Sequence, residues 1–282
     1  MTNTKIQDMI EYALDRQEKN LDEKRSKLLL REYGIPVVEE RLAYGKKDLL
    51  QIAQEIGYPV VIKAFGPELT HKSDLGAVYL DLQNQEGLQK AYTAIEQKLG
   101  NKMQAVLVQK QVQGKREFLV GLFRDPQFGA VVMFGLGGIY TEALADVSMR
   151  IAPLSRQDAK DMLEELRSRE ILNECRGEKR AKREEIIKTL LAVSQIGMDY
   201  PEIAEIDINP LVISPLGDVQ AVDSLVVLQK NREDENAFPA IPSQALSELF
   251  HPQSVAMLLC LRTRLPELEE KKLNLIDYDK KV

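Results

Sequence analysis

Apolar and polar residues alternate along the chain in segments that predict helices and strands in turn. The opening segment, Ile6–Tyr33, is rich in Leu, Glu, Lys and Arg, so it predicts one or two helices, which end at Gly34 and Pro36. The next segments predict helix, strand, strand, helix and strand in this order: Lys47–Ile56, Pro59–Phe65, Val78–Leu82, Glu86–Leu99 and Ala105–Val112. This alternation is typical of an α/β protein.

The second part of the chain predicts antiparallel pairing. Two apolar runs, Phe118–Phe123 and Ala130–Phe134, are separated by the turn sequence Arg124–Pro126, as in a hairpin. Two amphipathic helices and then two strands are predicted beyond it: Ser155–Ser168, Lys182–Gln195, Glu202–Ser214 and Asp218–Leu228.

Composition and charge narrow the class of protein. Hydrophobic residues make up 44% and charged residues 29%, as in ordinary soluble proteins, and the net charge of −6 argues against a broad nucleic-acid surface. Residues Met1–Asn20 lack the apolar core of a secretory signal, and the run Val255–Leu261 is too short to span a bilayer. The two cysteines, Cys175 and Cys260, argue against a disulfide framework. We therefore expect a cytoplasmic protein with neither nucleic acid nor membrane as partner.

A lysine stands inside an apolar strand. Lys63 follows Val60–Ile62, and a buried strand seldom accepts a lysine unless its ammonium reaches an anion or a cavity. A phosphate is the natural anion for such a site. The alternative is a lysine at a strand end whose ammonium reaches solvent.

Two further segments adjoin predicted strands and have the composition of ligand-binding loops. The loop Thr70–Val78 contains His71, one of two histidines, which could act as an acid, a base or a phosphoryl acceptor. The loop Phe134–Glu142 contains Gly137 and Gly138, where the backbone could approach a ligand closely. It matches neither a Rossmann nor a Walker sequence. An ordinary polar loop and an ordinary glycine turn are the alternatives.

Oxygen-bearing side chains are concentrated in the last two predicted strands. The period of two in a strand places Glu205, Asp207 and Asn209 on one face. Together with Asp223 on the next strand, they form a set of oxygen ligands suited to Mg²⁺. Glu117, at the start of an apolar strand, could bind a ribose hydroxyl. The alternatives are a polar strand face that contacts solvent and, for Glu117, a solvated strand end.

Taken in order, these motifs resemble the ATP-grasp domain of ADP-forming (NDP-forming) acyl-CoA synthetases, best known as the β subunit of acetate–CoA ligase (ADP-forming), a relative of succinyl-CoA synthetase β. The resemblance runs from about Arg25 to Leu228. It implies an ATP-grasp fold, α/β (α+β) in class, in which two lobes enclose the nucleotide and a short C-terminal extension follows. The motifs that carry it are Tyr33–Val37, Gly57–Lys63, His71–Asp74, Glu117–Gly121, Asp125–Gly129, Gly135–Gly138, Arg176–Gly177 and Glu205–Pro210.

The resemblance also implies roles around the nucleotide. Lys63 is expected to contact its phosphates, and Glu117 is expected to be the acid on the ribose side. Gln109, Lys110 and Gln111 are expected at the adenine.

The implied chemistry needs a metal ion and a second chain. Asn209 and Asp223 match the Mg²⁺ ligands of the family, and His71 matches a histidine that takes a phosphoryl group and passes it to the nucleotide. The cofactors implied are therefore ATP or ADP and Mg²⁺. The partner implied is a CoA-binding α-type chain, in a hetero-oligomer that catalyses acyl-CoA + ADP + phosphate ⇌ carboxylate + CoA + ATP.

The expected organisation has four parts. These are a helical segment at residues 1–24, an N-terminal lobe at 25–104, a C-terminal lobe at 105–228, and a linker and tail at 229–282. Within the tail, Leu249–Ala256 resembles the opening of the family's CoA-binding domain, but the glycine-rich turn that should follow is missing. Two functions therefore stay open: an enzyme subunit completed by a partner, or a non-catalytic ATP-binding module left from a truncated fused enzyme.

Overall fold

A computed structural model describes residues 4–66, 76–138 and 146–229 of the chain. The predictions for His71 and for the tail beyond residue 229 therefore lie outside the described residues. The helices are α1 (Thr4–Asp15), α2 (Glu23–Glu32), α3 (Lys46–Ile56), α4 (Gln85–Leu99), α5 (Arg156–Glu165) and α6 (Arg183–Asp199). The strands are β1 (Asn20–Leu21), β2 (Glu40–Ala43), β3 (Val60–Phe65), β4 (Val78–Leu82), β5 (Ala105–Lys110), β6 (Arg116–Asp125), β7 (Gly129–Leu136), β8 (Val147–Ile151), β9 (Ile203–Ile213), β10 (Val219–Ala221) and β11 (Leu225–Leu228).

The strands form two antiparallel sheets. The order in the larger sheet is β1-β11-β9-β6-β7-β8, with β10 also paired to β9, and the order in the smaller sheet is β2-β5-β3-β4. The predicted hairpin is confirmed, since β6 and β7 pair from Phe118 opposite Leu136 to Asp125 opposite Gly129. The mixed α/β class is confirmed as well.

Each sheet carries helices and has its own hydrophobic core. In the larger lobe, which comprises the larger sheet with α1, α2, α5 and α6, the rings of Phe118 and Phe134 stack with centroids 5.3 Å apart. In the smaller lobe, which comprises the smaller sheet with α3 and α4, Leu49 and Leu88 of the helices pack on the sheet around Ile62. The other face of the smaller sheet carries Lys63 and Gln109, which contact α2 of the larger lobe, and the boundary between the lobes is called the cleft below.

The lobe boundaries differ from those expected from sequence. Strand β5 pairs with β2 and β3, so the smaller lobe extends past the expected boundary at residue 104 to Lys110. Residues 4–24 are part of the larger lobe, because β1 pairs with β11 and the side chains of Ile6 and Ile10 lie in the larger core. Among the helices of the described ranges, none is long and apolar enough to cross a membrane.

The packing of α1 leads to a prediction about stability. Ile10 is fully buried in the larger core, and removing three of its side-chain carbons leaves a cavity, so we expect Ile10→Ala to lower the free energy of unfolding by about 2–5 kcal/mol. The measurement is urea unfolding of the full chain. Asp8→Ala, on the exposed face of the same helix, is the control and should change little. Equal stability of the two variants would contradict the assignment of α1 to this core.

Candidate functional site

Lys63 lies on the face of β3 that is turned towards the larger lobe. Strand alternation places Val60 and Ile62 in the smaller core, while Val61 and Lys63 occupy the opposite face. Lys63 is nevertheless 5% exposed. The alternative of an ammonium that reaches solvent is therefore wrong for this residue.

The ammonium of Lys63 lies between two carboxylates from the larger lobe. Its Nζ is 2.7 Å from Oε1 of Glu23 on α2 and 3.3 Å from Oδ2 of Asp223. Burial disfavours the charged ammonium, but these two carboxylates outweigh it and raise the pKa of Lys63. A charged lysine therefore bridges the two lobes at the cleft.

The position of Asp223 is set by the pairing of β10 and β11 with β9. On one side Ala221 pairs with Leu211, and on the other Leu225 pairs with Asp207, in the same antiparallel register. That register places Asp223, midway between them, opposite Asn209. The backbone positions of the two residues expected to bind Mg²⁺, 14 apart in sequence, thus face each other between the two paired segments.

The expected polar face of β9 is present. Ile206 and Ile208 are buried in the larger core, while Glu205, Asp207 and Asn209 lie on the opposite face, with Glu205 and Asn209 exposed. Burial, together with the negative charges of Glu205 and Asp223, raises the pKa of Asp207 to about 6. The carboxylates are therefore close enough to repel one another.

These oxygen donors suit a Mg²⁺ ion that protein and nucleotide coordinate together. A divalent cation would relieve the repulsion among the carboxylates, and Mg²⁺ is usually bound through one or two of them while it keeps waters and substrate phosphates. Across the ranges that the structure describes, no group of three or more Asp, Glu, His or Cys side chains forms a metal cage by itself. The assignment of Glu205, Asp207, Asn209 and Asp223 as ligands stays a prediction.

The side chains of the segment expected at the adenine have partners within the protein. Gln109 accepts a hydrogen bond from Lys27 at 3.3 Å, and the ammonium of Lys110 donates to the carbonyl of Gly57 at 2.7 Å. Gln111 accepts from the backbone of Asp81 at 3.0 Å. Their contact with a base stays a prediction.

Glu117 and the glycines after β7 lie next to one another. The backbone N–H of Gly137 donates to the carbonyl of Glu117 at 2.8 Å. A Cβ atom at Gly137 would lie 2.7 Å from the backbone of Phe118, and one at Gly138, where φ is +68°, would lie 2.4 Å from the Glu117 carboxylate. Packing against the backbone of β6 thus explains Gly137 without a ligand, and the positive φ explains Gly138. A nucleotide contact at any of these three residues stays a prediction.

Two residues of the site were missed from the sequence. Glu23 and Lys27 are one helical turn apart on α2, and both are buried beside Lys63. The spacing of four between a Glu and a Lys was visible in the sequence, but it is typical of exposed helix faces as well. Only the position of α2 between the lobes distinguishes the two cases.

Comparisons with known proteins show the family and the fold. The sequence profile of the ATP-grasp domain family matches residues 12–228. The acetate–CoA ligase [ADP-forming] I subunit beta of Pyrococcus furiosus is 40% identical over 212 residues, which are 73% of this chain and 91% of that protein. The acetate–CoA ligase [ADP-forming] I of Archaeoglobus fulgidus is 42% identical over 205 residues, which are 71% of this chain but only 30% of that longer protein.

A solved structure with the same fold contains a nucleotide analogue. It is the dinucleotide-forming acetyl-coenzyme A synthetase 1 of Ca. Korarchaeum cryptofilum, in complex with coenzyme A and Mg-AMPPCP, with a phosphohistidine segment pointing towards the nucleotide binding site. The match has a TM-score of 0.71 and 38% identity, and it covers 79% of this chain and 100% of that chain.

The electrostatics of Asp207 predict a pH dependence of stability. With a folded-state pKa of about 6 against an unfolded value of about 4, the folded protein binds this proton more tightly than the unfolded chain. The free energy of unfolding therefore falls as the pH rises through this window. We expect Asp207→Asn to remove this contribution, about 2 kcal/mol between pH 4.5 and 7.5.

The measurement is urea unfolding at both pH values in metal-free buffer containing EDTA. Asp8→Asn, at an exposed position on α1, is the control and should keep the pH dependence of the unaltered chain. If Asp207→Asn kept it too, the carboxyl of Asp207 would not be perturbed as described.

Proposed function

The chain belongs to the ATP-grasp domain family, and on that basis we propose that it is the nucleotide-binding, β-type subunit of an ADP-forming acyl-CoA synthetase. The observation that carries the proposal is the meeting of Lys63 with Asp223, 3.3 Å apart across the two lobes. A cation suited to phosphate and a carboxylate suited to Mg²⁺ belong together where a magnesium–nucleotide complex binds.

The roles of the residues follow from their chemistry. Lys63 contacts the nucleotide phosphates, and Asn209 and Asp223 hold Mg²⁺, with Asp207 and Glu205 beside them. When bound, Mg²⁺ neutralises phosphate charge during phosphoryl transfer. Lys63, itself only 5% exposed, adds a fixed positive charge beside the phosphates.

The whole reaction is part of the same proposal. It is acyl-CoA + ADP + phosphate ⇌ carboxylate + CoA + ATP, with His71 carrying the phosphoryl group to ADP. A separate CoA-binding α-type chain completes the enzyme, and a hetero-oligomer in the cytoplasm is the expected form. The Pyrococcus furiosus relative, which is named as a subunit and is covered over 91% of its length, supports a division of the activity between two chains.

Binding of Mg–ADP and Mg–ATP to the purified chain is the direct test. We expect calorimetric titration to show binding that requires Mg²⁺, and we expect the double variant Asn209→Ala/Asp223→Ala to weaken it on the order of tenfold or more, because charged contacts to the ligand are lost.

The matched control is Asn173→Ala/Asp218→Ala. Asp218 lies beyond the other end of β9, where its carboxylate pairs with Lys182, and Asn173 bonds to Glu170. This variant should bind as the unaltered chain does. A folded chain that does not bind either nucleotide would overturn the proposal.

A phosphorylation assay distinguishes an enzyme subunit from a non-catalytic ATP-binding module. With a CoA-binding α-type chain and ATP labelled at the γ-phosphate, we expect an acid-labile phosphohistidine on this chain. His71→Gln should abolish the label, and His251→Gln, at the one other histidine, should keep it. Nucleotide binding without any label, in the presence of a partner shown to bind the chain, would favour the non-catalytic module.

A further inference from the structure

A buried chain of charges extends from the cleft into the smaller lobe. Lys27, 1% exposed, places its Nζ 2.9 Å from Oε1 of Glu23 and 2.5 Å from Oε2 of Glu40 on β2. Its third contact is Gln109 on β5, at 3.3 Å. An ammonium has three donors, so all of those of Lys27 are used within the protein.

Glu23 is the member of this chain of charges that contacts Lys63. The same oxygen, Oε1, accepts from Lys27 at 2.9 Å and from Lys63 at 2.7 Å. The side chain of Glu23 is 4% exposed, whereas that of Asp223, the other partner of Lys63, is 47% exposed. Of the two carboxylates, Asp223 is thus the one open to the cleft, and Glu23 is shielded from it.

This difference decides which contact of Lys63 survives when a ligand arrives. Mg²⁺ at Asp223 would compete with the ammonium for the same carboxylate, and a phosphate would take the place of that carboxylate as the partner of Lys63. Glu23 lies behind Lys63 and is not displaced. A lysine already held in one rotamer loses less conformational entropy when it binds than a free one does.

We propose that Glu23 is a positioning residue of the nucleotide site: held by Lys27, it fixes the ammonium of Lys63 at the lobe boundary, where Lys63 exchanges Asp223 for a nucleotide phosphate. The proposal rests on the proposed function, since it assumes that Lys63 and Asp223 form the phosphate and metal site. It assigns to α2 a part in binding that its sequence does not show.

A double-mutant cycle separates positioning from a general effect on folding. The affinity for Mg–ADP is measured by calorimetry for the full chain, Glu23→Gln, Lys63→Met and the double variant, with circular dichroism to verify folding. We expect Glu23→Gln to weaken binding about tenfold and Lys63→Met to weaken it at least as much, as for lost charged contacts. The double variant should bind no more weakly than Lys63→Met alone, because Glu23 acts only through Lys63.

The matched control is Glu18→Gln. Glu18 also pairs with a cation of α2, Arg25, but has no contact with Lys63 among those described, so its variant should keep the affinity of the unaltered chain. If Glu23→Gln does not fold, Glu23→Asp keeps the charge and shortens its reach. We then expect a loss of about threefold or more that disappears in the Lys63→Met background.

The outcomes separate the two proposals. If the unaltered chain binds Mg–ADP and Lys63→Met weakens binding but Glu23→Gln does not, positioning by Glu23 is wrong and the nucleotide site stands. If Glu23→Gln weakens binding by the same factor in the Lys63→Met background, the positioning role is also wrong, since Glu23 would then act on binding by another route. Absence of binding by the unaltered, folded chain would overturn the nucleotide site and the role of Glu23 with it.

Discussion

The arrangement of this protein depends on the ammonium of Lys63, which lies between the buried carboxylate of Glu23 and the partly exposed carboxylate of Asp223. The two lobes have separate hydrophobic cores, so these cores by themselves do not specify how the lobes face each other. The polar contacts of Lys63 and Lys27 cross from one lobe to the other. Charged groups buried in this way are costly unless they are paired, so only a narrow range of lobe arrangements satisfies them.

Helix α2 is placed so that it serves both lobes. Leu29 and Leu30 are buried in the larger core, while Glu23 and Lys27, on another face of the helix, contact strands of the smaller sheet. The helix is therefore fixed to one lobe by apolar packing and to the other by charge. A nucleotide phosphate bound at Lys63, as proposed above, would act on the charged side of α2 and leave its apolar packing unchanged.

Much of this could be predicted from the sequence because it depends on local periodicity. The alternation in β9 placed Asp207 and Asn209 on one face. The apolar neighbours of Lys63 singled it out, but they left open whether its ammonium reaches an anion or solvent. The position of β5 in the smaller sheet could not be predicted, since strand pairing is set by contacts distant in sequence. The burial of Glu23 and Lys27 was missed for the same reason: a Glu and a Lys four residues apart on a helix look alike whether solvent or another lobe covers them.

The shared register of β10 and β11 along β9 has a consequence for recognising such sites by their sequence. Asp223 lies opposite Asn209 because the chain turns back after Ile213 and keeps one register on both sides of Asp223. The number of residues between the two is fixed by the length of that hairpin, whose turn packs on residues 179–182, where the N–H groups of Lys179 and Lys182 donate to the carbonyls of Pro215 and Gly217. An insertion of two residues at Pro215–Gly217 would preserve the register at Asp223 but disrupt these contacts. A single residue inserted between Ala221 and Asp223 would turn the carboxylate to the other face. The interval of 14 residues is thus constrained by the packing of the turn as well as by the register, so a search that demands a constant interval suits proteins that keep this turn.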